Sequence, residues 1–199
     1  MKRNFIIGMF LAPLLILLYW GIKTLFTPGV SVSEVEEKDI LAELNYTTEY
    51  AGGILPGFSF SMGENGTVKE AKLADFKGKP TIIHIWATWC GPCLKELPEF
   101  SDFVKKYKHK YNIIAVSADV SDSLAETQKI VDDLWREKNY NSVRMVYDFE
   151  AQLSRGFGIA GVPTTIFLNA DGKEIGRING AMYWMDPKIM IIVERLLKS

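Results

Sequence analysis

The 199-residue chain holds two cysteines, Cys90 and Cys93, separated by Gly91 and Pro92. A cysteine attacks or binds metal as the thiolate, so its surroundings decide what it does. An apolar, β-branched run from Thr81 to Trp86 precedes the pair, and a helical pattern follows from Gly91. At the start of a helix, Cys90 meets free amide N–H groups and the positive end of the helix dipole, which stabilise a thiolate. Cys93, one turn on, is within reach to close a disulfide with it. Cys90 is then the attacking sulfur, and Cys93 the resolving sulfur that breaks a mixed disulfide. The rival use of a Cys-x-x-Cys is half of a zinc site, which needs two further ligands. The two histidines do not supply them, since His84 precedes the strand-to-helix turn and His109 lies in a lysine-rich helix end. The expectation is a redox-active Cys90–Cys93 disulfide, with no metal and no other cofactor.

A frame must hold this pair. Leu55 to Phe60 reads as an entering strand, Gly63 to Gly66 as a turn and Thr67 to Lys69 as a second strand. Leu73 to Pro80 reads as a loop or single helical turn that delivers Thr81–Trp86, a strand covered on both faces. From Gly91 to about His109, Leu94, Leu97, Phe103, Val104 and Tyr107 mark one helix face, interrupted by Pro98, which is expected to kink it. Asn112–Ser117 is another strand, and Asp122–Lys138 a helix with Leu124, Ile130, Val131, Leu134 and Trp135 inward. Val143–Tyr147 is a strand and Ala151–Phe157 a short helix. Thr164–Leu168 and Glu174–Ile178 form a hairpin around Asn169-Ala170-Asp171-Gly172. Asp186-Pro187 caps a last helix with Ile189, Ile192, Val193 and Leu196 on its apolar face. Alternating strands and helices, closed by a hairpin and a helix, predict an α/β domain with a mixed sheet covered on both faces.

Composition narrows the class. The chain is 48% hydrophobic and 24% charged, with a formal net charge of −1, which suits one globular domain plus appendages. No basic excess is present to neutralise phosphates, so no nucleic acid is expected as a partner. At the amino end, Lys2 and Arg3 precede eighteen residues, Phe5 to Ile22, without a charge. As a helix that run spans roughly 27 Å, close to a bilayer core. Tyr19 and Trp20 sit where an interfacial anchor belongs, and the leading charges put the start on the cytoplasmic side. A cleaved signal peptide is the rival, but the run is long for one and no small-x-small site follows it. Residues 1–23 are thus expected to be an uncleaved single-pass anchor, residues 24–53 an acidic linker and residues 54–199 the catalytic domain. Between Ser31 and Tyr50 lie six acidic residues and one lysine, which read as a solvated tether, with a self-association element as the alternative.

Trp89-Cys90-Gly91-Pro92-Cys93 after a buried strand, with Gly161-Val162-Pro163-Thr164 far downstream, resembles the thioredoxin superfamily. Trp86-Ala87-Thr88-Trp89-Cys90 and Glu96-Leu97-Pro98 are similar to the signature of its membrane-anchored TlpA/ResA/CcmG (DsbE) group. The long segment from Ala118 to Val162 looks like that group's inserted helix and strand, and Gly180-Ala181-Met182-Tyr183-Trp184 is most similar to TlpA. The resemblance spans about Leu55 to Leu197. It implies a thioredoxin-like fold in which Pro163 is cis and lies against the cysteines. The Val162 carbonyl is then free to pair with an extended substrate strand, and Gly180 and Ala181 form the other wall of that groove. Trp89 shields the disulfide, while Trp86 is core. Pro92 fixes the first turn of the helix between the cysteines. Glu96 matches a glutamate that the ResA-like branch uses near its active site; a helix-surface carboxylate is the alternative. At the position six before the first cysteine, where cytosolic thioredoxins carry a buried acid, this chain has His84, expected to be a satisfied buried histidine.

The same resemblance implies a periplasmic protein-disulfide reductase of the bacterial inner membrane. Its substrates would be disulfides in cytochrome c or copper-site assembly, and its electrons would come from a membrane thiol transporter of the DsbD or CcdA kind. Gly-Pro between the cysteines is also the pairing of reducing thioredoxin, at roughly −270 mV. A disulfide-introducing oxidase or isomerase is the alternative within this chemistry. A copper-binding assembly factor is the alternative outside it, although such relatives space the cysteines by three residues and add a distal histidine that the downstream loops lack. A peroxidase is not expected, because Ile83 and Ala87 stand where peroxiredoxins carry Pro and Thr.

Overall fold

In the computed structural model, residues 31–50, 57, 59–64, 67–138 and 142–198 are described. The anchor expected over residues 1–23 lies outside them, and among the described residues no helix is long and apolar enough to cross a membrane. Among the described residues, eight strands form one mixed sheet: β1 (Tyr46–Thr47), β2 (Ser59–Glu64), β3 (Thr67–Lys72), β4 (Thr81–Trp86), β5 (Asn112–Ser117), β6 (Arg144–Tyr147), β7 (Thr164–Leu168) and β8 (Glu174–Asn179). Their order is β1-β8-β7-β4-β5-β6-β2-β3. The helices are α1 (Glu34–Glu43), α2 (Gly91–Tyr107), α3 (Leu124–Lys138), α4 (Gln152–Gly156) and α5 (Pro187–Leu196), with a 3₁₀ turn at Leu73–Phe76.

Strand β4 is the hinge of the sheet. It pairs in parallel with β5 and antiparallel with β7, and all six of its residues are buried. Side chains alternate across a strand, so Ile82 and Trp86 pack into one core and Ile83 and Ile85 into the other. The first core takes Leu97, Phe100, Phe103 and Val104 from α2, Val131 and Trp135 from α3, and Ile189 and Val193 from α5. The second takes Phe60 and Met62 from β2, Leu73 and Phe76 from the 3₁₀ turn and Leu153 from α4. This is the thioredoxin-like arrangement expected, including the inserted helix and strand, here α3 and β6. The inserted β6 pairs with β5 and also receives β2, so the β2–β3 hairpin extends the sheet beyond it.

The described part of the entering strand runs from Ser59 to Glu64, paired with β3 and β6, while Leu55 lies outside the described residues. Two local readings are corrected. On α2, Leu94 turns outward at 39% exposed, whereas Phe100 and Glu96 turn inward. On α3, Ile130 is likewise outward, and the buried polar residue is Thr127. Pro98 lies on the exposed side of a helix that continues through it.

The expected tether differs most. From Val32 to Tyr50 the chain packs on the folded domain, within the compact unit Val32–Ser199. Ser33 caps α1 by accepting from the Glu36 N–H, and Ile40, Leu44 and Tyr46 pack against the first core. Glu36 and Glu37 pair with Lys188 and Arg195 of α5, and Arg195 also donates to the Val32 carbonyl. Strand β1 then covers the β8 edge, and the Tyr46 hydroxyl donates to the Ile175 carbonyl. Gly176 makes this possible, since a Cβ there would lie 2.2 Å from the Tyr46 hydroxyl oxygen.

Beneath that strand, Arg177 is held bidentate by Glu174 at 2.7 and 2.8 Å, both side chains being buried. Its third donor reaches the Phe157 carbonyl at the end of α4, and the Tyr50 ring lies over the guanidinium at 3.9 Å. Arg177 therefore ties β8 to the segment leading into Gly161–Pro163.

Two outcomes follow for stability. Gly176→Ala should displace Tyr46 and expose residues 46–50 to protease, at about 1–3 kcal/mol in chemical denaturation. Arg177→Met should cost about 3–5 kcal/mol by stranding the Glu174 carboxylate, and Arg177→Met with Glu174→Leu should recover much of it.

Candidate active site

The site is built where β4 ends. Cys90 is the N-cap of α2, with extended backbone, and its Sγ accepts from the Cys93 N–H at 3.2 Å. The two sulfurs form a disulfide across a Cα separation of 5.3 Å. Cys90 is 4% exposed and Cys93 is fully buried, so Cys90 is the outer sulfur of the pair. Trp89 projects from the surface beside it at 71% exposed, while Trp86 is wholly core, its ring tilted against that of Trp135. Gly91 and Pro92 occupy the exposed first turn of α2. The Cys93 N–H and the positive end of the α2 dipole are aimed at Cys90 Sγ, an arrangement that favours negative charge on a sulfur at a helix start.

A residue outside the motif holds this turn in place. Asp119, buried just after β5, accepts from the Thr88 N–H at 3.1 Å, the Thr88 hydroxyl at 2.6 Å and the Ser117 hydroxyl at 2.7 Å. Its carboxylate fixes the turn between β4 and Cys90. Sequence reasoning missed it, because Thr88 and Asp119 are 31 residues apart and meet only when β4 and β5 pair.

The Val162–Pro163 peptide bond is cis. It brings the Val162 carbonyl oxygen to 3.7 Å from Cys90 Sγ. Gly180 closes against it, its N–H donating to the Pro163 carbonyl at 2.9 Å. Val162, Pro163 and Gly180 line one groove of about 420 Å³. Ala181, exposed beside it, is not part of the lining, because the chain turns at Gly180 to send Met182 into the core. The opposite wall comes from Thr47, Glu49 and Tyr50, in the segment that the sequence suggested was a tether.

Glu96 is not a surface carboxylate. It is 6% exposed, and Oε2 accepts from the Met182 N–H at 2.9 Å and from the Trp184 indole N–H at 3.1 Å. Burial pushes its carboxyl up to about 7, against the lowering effect of those two donors. Its other oxygen faces His84 Nε2 at 3.4 Å. His84 is fully buried and only half satisfied: Nδ1 lies 3.1 Å from the Thr165 hydroxyl, but Nε2 lacks a hydrogen bond. Burial pushes the imidazole down to about 3. The close approach of His84 and Glu96 could suggest an ion pair. Burial favours the uncharged imidazole instead, because the other groups around it are neutral rings and a hydroxyl.

Among the described residues no three His, Cys, Asp or Glu side chains converge as metal ligands. The arrangement can exchange a disulfide with an extended chain laid along the Val162 carbonyl, with a titratable buried pair set one turn beyond Cys93.

Comparison with known proteins agrees with this geometry. The chain is similar to a thiol-disulfide oxidoreductase ResA of Bacillus thuringiensis subsp. konkukian, 34% identical over 113 residues that make up 56% of this chain and 61% of the relative. The chain thus spans about three fifths of that relative's length. A ResA of Geobacillus thermodenitrificans is 28% identical over 159 residues, covering 75% of this chain and 86% of the relative. Among solved structures, StoA from Bacillus subtilis superposes with a TM-score of 0.55 at 25% identity, over 69% of this chain and 96% of StoA. These likenesses are consistent with the TlpA/ResA/CcmG group. The AhpC/TSA family profile matches residues 51–174, more than half of the chain and the whole stretch from the entering segment through both cysteines to β8, and the chain belongs to that family.

Proposed function

We propose that the chain is a thiol–disulfide oxidoreductase that reduces protein disulfides through Cys90 and Cys93. The observation that carries this is the Cys90–Cys93 disulfide at the start of α2, facing the carbonyl before a cis proline. A substrate strand that hydrogen-bonds along Val162 brings its own disulfide toward Cys90 Sγ. In the reduced protein the Cys90 thiolate attacks one substrate sulfur, the substrate S–S bond breaks, and the first substrate thiolate leaves. Cys93, deprotonated, then attacks Cys90 Sγ in the mixed disulfide. The second substrate thiolate departs with the electron pair of the broken bond, and the protein is left oxidised. Two electrons from a dithiol donor restore it.

The setting belongs to the same proposal. The run from Phe5 to Ile22 behind Lys2 and Arg3 supports a single-pass anchor with the domain outside the cytoplasm. There disulfides persist and a dedicated reductant has work to do. Electrons would come across the membrane from a thiol transporter of the DsbD or CcdA type. Cytochrome c or copper-site assembly proteins are the proposed substrates, and the likeness to thiol-disulfide oxidoreductases supports disulfide exchange over copper carriage.

Cys93→Ala should trap the substrate on Cys90 as a mixed disulfide, seen as a reducible adduct in cell envelopes, and Cys90→Ala should trap none. The couple should have a potential well below the about −120 mV of a strong disulfide oxidant. A value near that figure, with the pair oxidised in cells, would sink the reductase reading. Asp119→Ala should loosen the Thr88–Cys90 turn, lowering stability by about 1–3 kcal/mol. Alkylation of Cys90 at neutral pH should slow several-fold as its sulfur leaves the helix axis.

A further inference from the structure

Glu96 Oε1 and His84 Nε2 are both buried without a hydrogen-bond partner, and they face each other at 3.4 Å. Glu96 lies one turn beyond Cys93 on α2, and both belong to the buried set of that helix. His84 comes from β4 and pairs across the sheet with Thr165 of β7. The remaining polar atom of each side chain is engaged, His84 Nδ1 by the Thr165 hydroxyl and Glu96 Oε2 by Met182 and Trp184. Phe100 and Trp184 enclose the imidazole at centroid distances of 4.6 and 5.2 Å. Glu99, on the same helix as Glu96, is the charged group that acts on the carboxyl, and it disfavours ionisation. No part of the disulfide exchange described above uses His84.

Two facing lone pairs in a dry site repel, so a proton must lie between these atoms. Neutral imidazole allows two arrangements. With the carboxyl protonated, Oε1–H donates to Nε2, and Nδ1–H donates to Thr165. With the carboxyl ionised, Nε2–H donates to Oε1, and Nδ1 accepts from the Thr165 hydroxyl. The first form holds one proton more than the second, and neither puts a charge on the ring. Thr165, a rotating hydroxyl, can serve both.

We propose that His84 and Glu96 act as one proton-holding unit beneath Cys93, in which the imidazole switches tautomer as the carboxyl gains or loses its proton. His84 is a positioning residue: it acts through Glu96 and sets how readily the unit accepts the proton of Cys93. This rests on the dithiol reading above. As Cys93 attacks Cys90 Sγ in the mixed disulfide, its S–H bond breaks and the proton passes to the unit, converting the ionised form to the protonated one. The Cys90–Cys93 bond forms, and the substrate thiolate leaves with the electron pair of the old S–S bond. Burial, which holds the imidazole uncharged and brings the carboxyl to the neutral range, supports the assignment.

The test follows the unit directly by NMR in the oxidised full chain labelled with carbon-13 and nitrogen-15. From about pH 5 to about pH 9, the Glu96 carboxyl carbon and both His84 nitrogens should move with one midpoint, the ring staying neutral while its proton passes from Nδ1 to Nε2. A His84 ring that keeps one tautomer while Glu96 titrates overturns the proposal. His84→Phe keeps the ring but removes donor and acceptor. The ionised carboxylate then loses the stronger hydrogen bond, so the Glu96 midpoint should rise by about one pH unit or more, a tenfold gain in proton affinity. His84→Gln, which can donate or accept, should restore part of the shift, and it serves if His84→Phe does not fold. The second readout is release of coloured 2-nitro-5-thiobenzoate from its mixed disulfide with Cys90, which reports attack by Cys93. Its pH midpoint should move up with that of Glu96, and unchanged midpoints in both variants overturn the proposal. The NMR titration needs no turnover. Loss of disulfide exchange with an intact shared titration therefore defeats the functional reading alone, whereas separate titrations with intact exchange defeat this one.

Discussion

A helix that starts at Cys90 leaves its first amide groups without intrahelical partners, and the sulfur of Cys90 takes one of them. That contact is the constraint on which the site depends. It aims the positive end of the helix at the outer sulfur, and it needs the strand-to-helix turn to present that sulfur on the helix axis. The turn is not self-supporting. It hangs from the fully buried β4 at one end and from the Asp119 carboxylate at the side. β4 in turn is held by β5 and β7 on its two edges and by a core on each face.

The opposite side of the reactive pair is set by a second chain of contacts. The cis Val162–Pro163 bond aims a carbonyl at Cys90, and the Gly180 N–H closes behind Pro163. Arg177 links β8 to the end of α4 just before that loop, and its buried pairing with Glu174 leaves little freedom to move. Tyr50 covers the same guanidinium, so the amino-terminal segment forms one wall of the groove rather than a leash. The shape of the groove and the docking of residues 32–50 are thus physically joined.

Beneath Cys93 the protein departs from a plain apolar core. A carboxyl and an imidazole are buried together, each with one atom satisfied by a neighbour and one left facing the other. Leaving such atoms unpaired is costly in a closely packed interior, so a proton between them has both a structural and a chemical part to play. Phe100 and Trp184, the two rings that enclose the imidazole, also pack against each other, and Trp184 packs against Phe103 of the helix that carries the cysteines.

What the sequence determined by itself is the local chemistry and most of the frame. The Cys-x-x-Cys spacing, the β-branched run of Thr81–Trp86, Asp186-Pro187 and the Asn169–Gly172 turn each act over a few residues, where periodicity and backbone preference decide. The cis state of Pro163 was reached through resemblance rather than local physics. Tertiary structure alone decided the rest. The acidic stretch before residue 50 looks solvated because Lys188 and Arg195, which receive it, lie some 150 residues on. Glu96 looks like a surface residue until Met182, Trp184 and His84 close around it. Asp119 looks like loop polarity until β4 and β5 pair. In each case the deciding partner is distant along the chain. A charged side chain is ambiguous until its partners and its burial are known.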